Sequence, residues 1–135
     1  MPKKKKKSKS QIIEDAAVII QKYVRLVAAD ENGYVKCVTC DSVRPWQEMQ
    51  GGHFVSRACL ATKLMIENIH PQCPGCNGPK RGNLQRYTLY MEDMYGREFV
   101  ENLLELKNTT TIYTKAEAYE KLEEAKELMK GLEEI

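Results

Sequence analysis

Two Cys-x-x-Cys pairs, Cys37-Val-Thr-Cys40 and Cys73-Pro-Gly-Cys76, constrain this chain more than any other feature. Four thiolates carried on two knuckles are the donor set of tetrahedral Zn²⁺, and one shared site pins two remote stretches of a 135-residue chain together. A pair of thiol redox motifs is the competing reading, but it needs a βαβ setting that the flanking residues do not suggest. Structural zinc is therefore expected on Cys37, Cys40, Cys73 and Cys76. The fifth cysteine, Cys59, reads as an ordinary small buried residue. Free thiols suit a reducing compartment. No window holds eighteen consecutive apolar residues, and the start MPKKKKKSKS lacks the apolar segment of a secretory signal, so a cytoplasmic protein is expected.

An apolar content of 42% supports one modest core, and hydrophobic spacing indicates where its walls come from. Ile13, Ala16, Ile20, Tyr23 and Val27 recur at helical spacing after Ser10, a candidate N-cap, until Asn32-Gly33, which predicts a helix over 11–29. After the first knuckle come a turn at Pro45-Trp46 and an extended run through Met49. The Gly51-Gly52 step then lets the backbone bend ahead of His53. Leu64-Met65-Ile66 reads as a second extended run leading into Asn68 and the second knuckle. Pro79 and Gly82 keep a helix starting at Cys76 short. Helices follow over 84–95, closed by Gly96, and over 97–107. Thr114 caps a last helix over 115–131, whose stripe Ala118, Leu122, Ala125, Met129 and Leu132 packs back onto the domain. The fold class is α+β, mainly helical.

The formal charge of +2 conceals an asymmetry. Residues 1–10 hold six lysines and no acid, leaving 15 basic against 19 acidic residues beyond them. That leader reads as a disordered basic arm. It could serve as a nuclear address in a eukaryote, or release counterions from a phosphate backbone without sequence preference. Between 53 and 90, Arg57, Lys63, Lys80, Arg81 and Arg86 face the single acid Glu67. Each alone is a solvated charge, but their clustering favours phosphate contact as a group. A tetrathiolate zinc site would offset part of that field. The acids concentrate in residues 115–135, with seven glutamates against four lysines.

Within this frame the segment Asn68-Ile-His-Pro-Gln-Cys-Pro-Gly-Cys-Asn77 places one Asn before the second knuckle and another directly after it. The order of knuckle, His53, return run, Asn68, knuckle and Asn77 resembles the ββα-metal nucleases of the HNH superfamily. The tetracysteine site followed at once by Asn is similar to phage Holliday-junction resolvases of the endonuclease VII type. GGHFVSR, ENIHPQCPGCN and GNLQRYTLYMEDMYG, set between a leading helix and a Glu/Lys-rich last helix, are together similar to the NinG/Rap family of phage recombination proteins. The resemblance implies a zinc-stapled HNH-type domain over 11–110, a basic arm over 1–10 and a C-terminal helix over 111–135. It implies a structure-specific endonuclease acting in the host cytoplasm on branched recombination intermediates such as Holliday junctions or D-loops. His53 would be the general base, Asn68 would orient its ring, and Asn77 would bind a catalytic Mg²⁺ or Mn²⁺.

These residue types suit that chemistry. A neutral imidazole near pH 7 can take a proton from the attacking water, and a hard cation on oxygen ligands meets the charge that develops on phosphate and the leaving oxygen. HNH enzymes place Asp or His immediately before the base, and this chain has Gly52. The missing ligand would come from Gln50, Glu48 or His70, or the cation would rely on Asn77, water and the DNA phosphate. His70 is equally read as a phosphate contact or a packed residue, and Tyr87, Tyr90 and Tyr95 as core. Two other classes stay open: a non-catalytic zinc module that binds DNA, and a sequence-specific HNH endonuclease. The expected partner is branched DNA, with a homodimer suited to symmetric cutting of a four-way junction.

Overall fold

A computed structural model describes residues 6–133. The first helix, α1 (Lys9–Ala28), starts two residues earlier than expected, because Ser8 rather than Ser10 is the cap and accepts a hydrogen bond from Gln11 N at 3.2 Å. The predicted arm is shortened accordingly, and its residues 1–5 lie outside the described residues. The apolar stripe of α1 buries Ile12, Ile13, Ala16, Ala17, Ile20 and Val24.

Two antiparallel hairpins follow. Strands β1 (Tyr34–Lys36) and β2 (Val43–Pro45) flank the first knuckle, and a 3₁₀ turn at Trp46–Glu48 leads into β3 (Gln50–His53). Arg25 of α1 ties this turn down by donating to the carbonyls of Trp46 and Met49. The partner of β3 is β4 (Ile69–Gln72), in a register that pairs Gln50 with Gln72 and His53 with Ile69. The second cysteine pair therefore sits at the base of this hairpin and His53 at its far end.

The return run lies later in the chain than expected. A short helix, α2 (Leu60–Lys63), ends just before the stretch read as extended at 64–66, and a 3₁₀ turn at Ile66–Asn68 begins at its last residue, leaving Leu64 and Met65 as the link between them. Leu64 and Ile66 pack on the α1 cluster while Met65 packs on the opposite one, so a turn satisfies the same alternation a strand would. Gly51 and Gly52 do not bend the chain either; both lie within β3. Their lack of a side chain is a packing requirement, since a Cβ on Gly51 would come within 2.7 Å of Gln21 on α1 and one on Gly52 would run into the Gln72 amide.

Helix α3 (Pro74–Asn77) begins at Pro74, not Cys76, so Asn77 is its last residue rather than lying near its start. The loop after it holds three consecutive left-handed residues, Arg81, Gly82 and Asn83. Helix α4 (Leu84–Tyr95) matches its predicted bounds. Gly96 at φ 88° separates it from α5 (Arg97–Glu105), and a 3₁₀ turn at Leu106–Asn108 replaces the last turn predicted for that helix. Thr114 and Glu117 exchange side-chain-to-backbone hydrogen bonds as a capping box for α6 (Lys115–Glu133). As expected, α6 packs back on the domain, setting Ala118, Leu122 and Ala125 against the α1 stripe and Ile69. A second cluster joins Phe54 and Val55 to Tyr87, Met91, Val100 and Leu103, and a third surrounds the cysteines with Val35 and Met49. The result is mainly helical α+β with two small sheets. No helix among the described residues is long and apolar enough to cross a membrane.

Candidate functional site

The first knuckle loops between β1 and β2, and the second runs from the end of β4 into α3. Together they bring the sulfurs of Cys37, Cys40, Cys73 and Cys76 within 4.8 Å of one another. Cys40 Sγ and Cys73 Sγ are 3.6 Å apart, close to the ~3.8 Å edge of a tetrahedron built on ~2.3 Å Zn–S bonds. The four residues thus fit a structural zinc ion. Hydrogen bonding from Ser42 pulls the Cys40 thiol down to about 6, whereas burial pushes Cys76 up to about 11. Cys40 is thus disposed to be a thiolate near pH 7, and a bound dication is what would make a thiolate of Cys76 as well. Cys59 lies apart, half-buried against the second cluster.

Beside this cluster opens a cleft of ≈ 490 Å³ lined by His53, Asn77, Gln50, Gln21, Arg57 and Arg81, among others. His53 Nε2 lies 2.9 Å from the Lys63 carbonyl. A carbonyl can only accept, so Nε2 carries the proton of the neutral ring and the lone pair is on Nδ1. Burial lowers the His53 pKa below its ordinary 6.5, with Arg57 and Lys63 adding to the fall and the Lys63 carbonyl opposing it. Asn77 Nδ2 donates to Gln50 Oε1 at 2.8 Å, leaving the Asn77 side-chain oxygen free for another partner.

Asn68 does not hydrogen-bond to His53. Its buried amide accepts from Val55 N at 2.8 Å and donates to the carbonyls of Val55 and Thr62 at 3.0 and 3.2 Å. It fixes the peptide preceding Lys63, whose own carbonyl holds His53, so its influence on the ring passes through α2. His70 is not placed to ligate a cation. Tyr87 spends its hydroxyl proton on the Gly52 carbonyl at 2.7 Å, so His70 Nδ1–H must donate to the Tyr87 oxygen, and Tyr95 then donates to Nε2 at 2.8 Å. With both ring nitrogens occupied and only 8% of its surface exposed, His70 is a packed residue. Glu48 does not line the cleft, which leaves Gln50 as the one member of the expected ligand trio that does.

The five basic residues divide. Arg57 and Arg81 line the cleft. Lys63 is only 14% exposed in its side chain and pairs with Glu14 Oε2 at 2.8 Å, so it is not free to meet phosphate. Lys80 and Arg86 are exposed outside the cleft lining. Sequence reasoning missed Glu14, which also holds Arg57 at 3.0 Å, and Gln21, seven residues later. Both are polar residues flanking the α1 apolar stripe, one legible sign that this side of the helix borders more than core.

The family model described as Bacteriophage Lambda NinG protein matches residues 1–134. The chain belongs to the NinG family. Curated NinG proteins of Escherichia phage 933W, Enterobacteria phage VT2-Sa and Escherichia phage lambda are each 26% identical to it over 97 residues, covering 72% of this chain and 46% of theirs. The chain thus spans less than half the length of these NinG relatives. No solved structure matches it.

Proposed function

We propose that this NinG-family chain is a structure-specific DNA endonuclease that cleaves branched recombination intermediates, of the Holliday-junction or D-loop type, by metal-dependent phosphodiester hydrolysis. The observation that carries the reading is the shared cleft: His53, with Nδ1 as its free lone pair, opens onto the same space as Asn77, Arg57 and Arg81. On this reading the four cysteines and the β3–β4 hairpin form a zinc-stapled ββα-metal scaffold of the HNH kind.

His53 Nδ1 accepts the proton of a water aligned with the scissile phosphate; the water oxygen bonds to phosphorus as the bond to the departing 3′ oxygen breaks. Arg57 and Arg81 hold the flanking phosphates. Asn77, with Gln50 beside it, would hold a Mg²⁺ or Mn²⁺ ion, which when bound supplies positive charge for the leaving oxygen and the phosphate. Asn68 keeps α2, and with it the Lys63 carbonyl behind His53, in place. A small cleft that presents Arg57 and Arg81 to the phosphate backbone suits substrates distinguished by shape and flexibility rather than base sequence.

A non-catalytic zinc module that binds DNA is the second reading. It is favoured by the absence of any carboxylate from the cleft lining among the described residues. Labelled four-way junction and linear duplex, each incubated with the zinc-loaded protein and Mg²⁺, Mn²⁺ or no added cation, separate the two. Cation-dependent incision of the junction in preference to the duplex is the expected result. Junction binding without incision in any divalent cation overturns the nuclease reading in favour of the module.

A further inference from the structure

We propose that Glu14 is a positioning residue of the cleft: its carboxylate, reaching in from α1, holds Arg57 for the substrate phosphate and Lys63 behind His53. The inference rests on the reading of the cleft given above. One carboxylate oxygen serves each partner. Glu14 Oε1 accepts from Arg57 Nη2 at 3.0 Å, and Oε2 accepts from Lys63 Nζ at 2.8 Å. The hydrogen bond from Lys63, more than any other influence, holds the Glu14 pKa below its ordinary 4.5, so the carboxylate is charged near neutral pH.

Both partners lie on the segment that joins β3 to β4. Arg57 stands on the turn that Cys59 N closes on the Ser56 carbonyl, with 62% of its side chain exposed. Among the described residues, Glu14 is the one group its guanidinium hydrogen-bonds. Only Nη2 is used, which leaves the rest of the planar fork for phosphate. Lys63 ends α2, and its carbonyl is the group that holds His53 Nε2–H at 2.9 Å. A helix of one turn is too short to hold itself. Asn68 fixes α2 through the Thr62 carbonyl, and Glu14 fixes it through the Lys63 ammonium, which is only 14% exposed. Arg57 and Lys63 each add to the fall in the His53 pKa that burial begins, and Glu14 opposes it. The same carboxylate therefore protects the basicity of the ring while it orders the two cations.

A merely stabilising ion pair leads to a different expectation. Its loss lowers melting temperature, binding and cleavage together. Loss of positioning slows the chemical step while DNA binding is kept, or tightened, because a negative charge beside the phosphate contact is gone. Zinc-loaded wild type, Glu14→Gln, Lys63→Met and the double variant are compared in junction affinity, single-turnover cleavage at saturating protein and the ¹⁵N spectrum of the neutral His53 ring. Glu14→Gln keeps the size of the side chain but has one acceptor oxygen for two donors. Its junction affinity should be no weaker than that of wild type, and its cleavage slower by about tenfold or more. Its ring should show mixed Nδ1–H and Nε2–H tautomers where wild type shows Nε2–H. Lys63→Met should give the same mixed ring, and the double variant no further mixing, because both act through one carbonyl. A wild-type cleavage rate and an unchanged ring in Glu14→Gln overturn the inference and leave the nuclease reading intact. Equal losses of affinity and rate, with a lowered melting temperature, overturn it in favour of a structural ion pair. If wild type cuts no junction, the nuclease reading falls and the ring decides on Glu14: mixed tautomers with retained junction affinity support it, and an unchanged ring overturns it.

Discussion

At the scale of single residues, one hydrogen bond decides what His53 can do. The Lys63 carbonyl claims Nε2–H, so the proton-accepting nitrogen is Nδ1, and desolvation keeps the ring neutral to lower pH than a free imidazole. A nearby cation would act in the same direction. His53→Ala should therefore cut single-turnover cleavage by on the order of 10²-fold or more, the usual scale for a lost general base, with junction binding and zinc content unchanged. In wild type the rate should fall on acidification with a midpoint below 6.5. That acid limb should vanish from the residual activity of the variant. A rate loss matched by lost binding would instead mark His53 as structural. Asn68 shows how far a residue's type can be legible while its partners are not. The sequence singles out an Asn before the second knuckle, but its three hydrogen bonds to Val55 and Thr62 depend on the turn that replaces the expected strand.

At the scale of elements, α4 is linked to β3 by a polar relay running from Tyr95 through His70 and Tyr87 to the Gly52 carbonyl. Burial lowers the His70 pKa to about 4 from 6.5. The unfolded chain therefore takes up the proton first on acidification. Stability from this site is complete above 6.5 and is lost as pH falls toward 4, amounting to roughly 3 kcal/mol by linkage. Denaturant titrations at pH 7 and pH 4.5 should show a smaller acid loss in His70→Gln than in wild type, since both share the same cysteine cluster. Equal losses would show that the imidazole is not the group being protonated. The elements themselves were unevenly legible. Helix α4 and the capping box of α6 match the sequence reading because periodicity and caps are local. The run 64–66 misled because alternation between two apolar clusters is shared by strands and turns.

At the scale of the molecule, the cysteine cluster joins the first hairpin, the base of the second and α3. The packing around it is slight, with Val35, Met49, Cys37, Cys73 and Cys76 as its buried members. Metal binding at such a site contributes directly to folding. Cys73→Ser should lower the melting temperature and reduce bound zinc from one ion per chain, as should a strong chelator with wild type. Protein purified without chelators that holds no zinc yet melts at the same temperature would refute a structural role.

What the sequence alone determined are the features written in short-range pattern: the two knuckles, the helix periods of α1, α4 and α6, the basic leader and a family-like order of His53, Asn68 and Asn77. The tertiary structure decided how those residues are used. Gly51 and Gly52 are glycines because Gln21 and Gln72 occupy the space a side chain would need. His70 is withdrawn from any cation site by Tyr87 and Tyr95, and Lys63 is drawn away from phosphate by Glu14. The physical reason is the same in each case. Spacing along the chain sets backbone conformation, but a side chain's free atoms are those left over after groups remote in sequence have taken their hydrogen bonds and their volume.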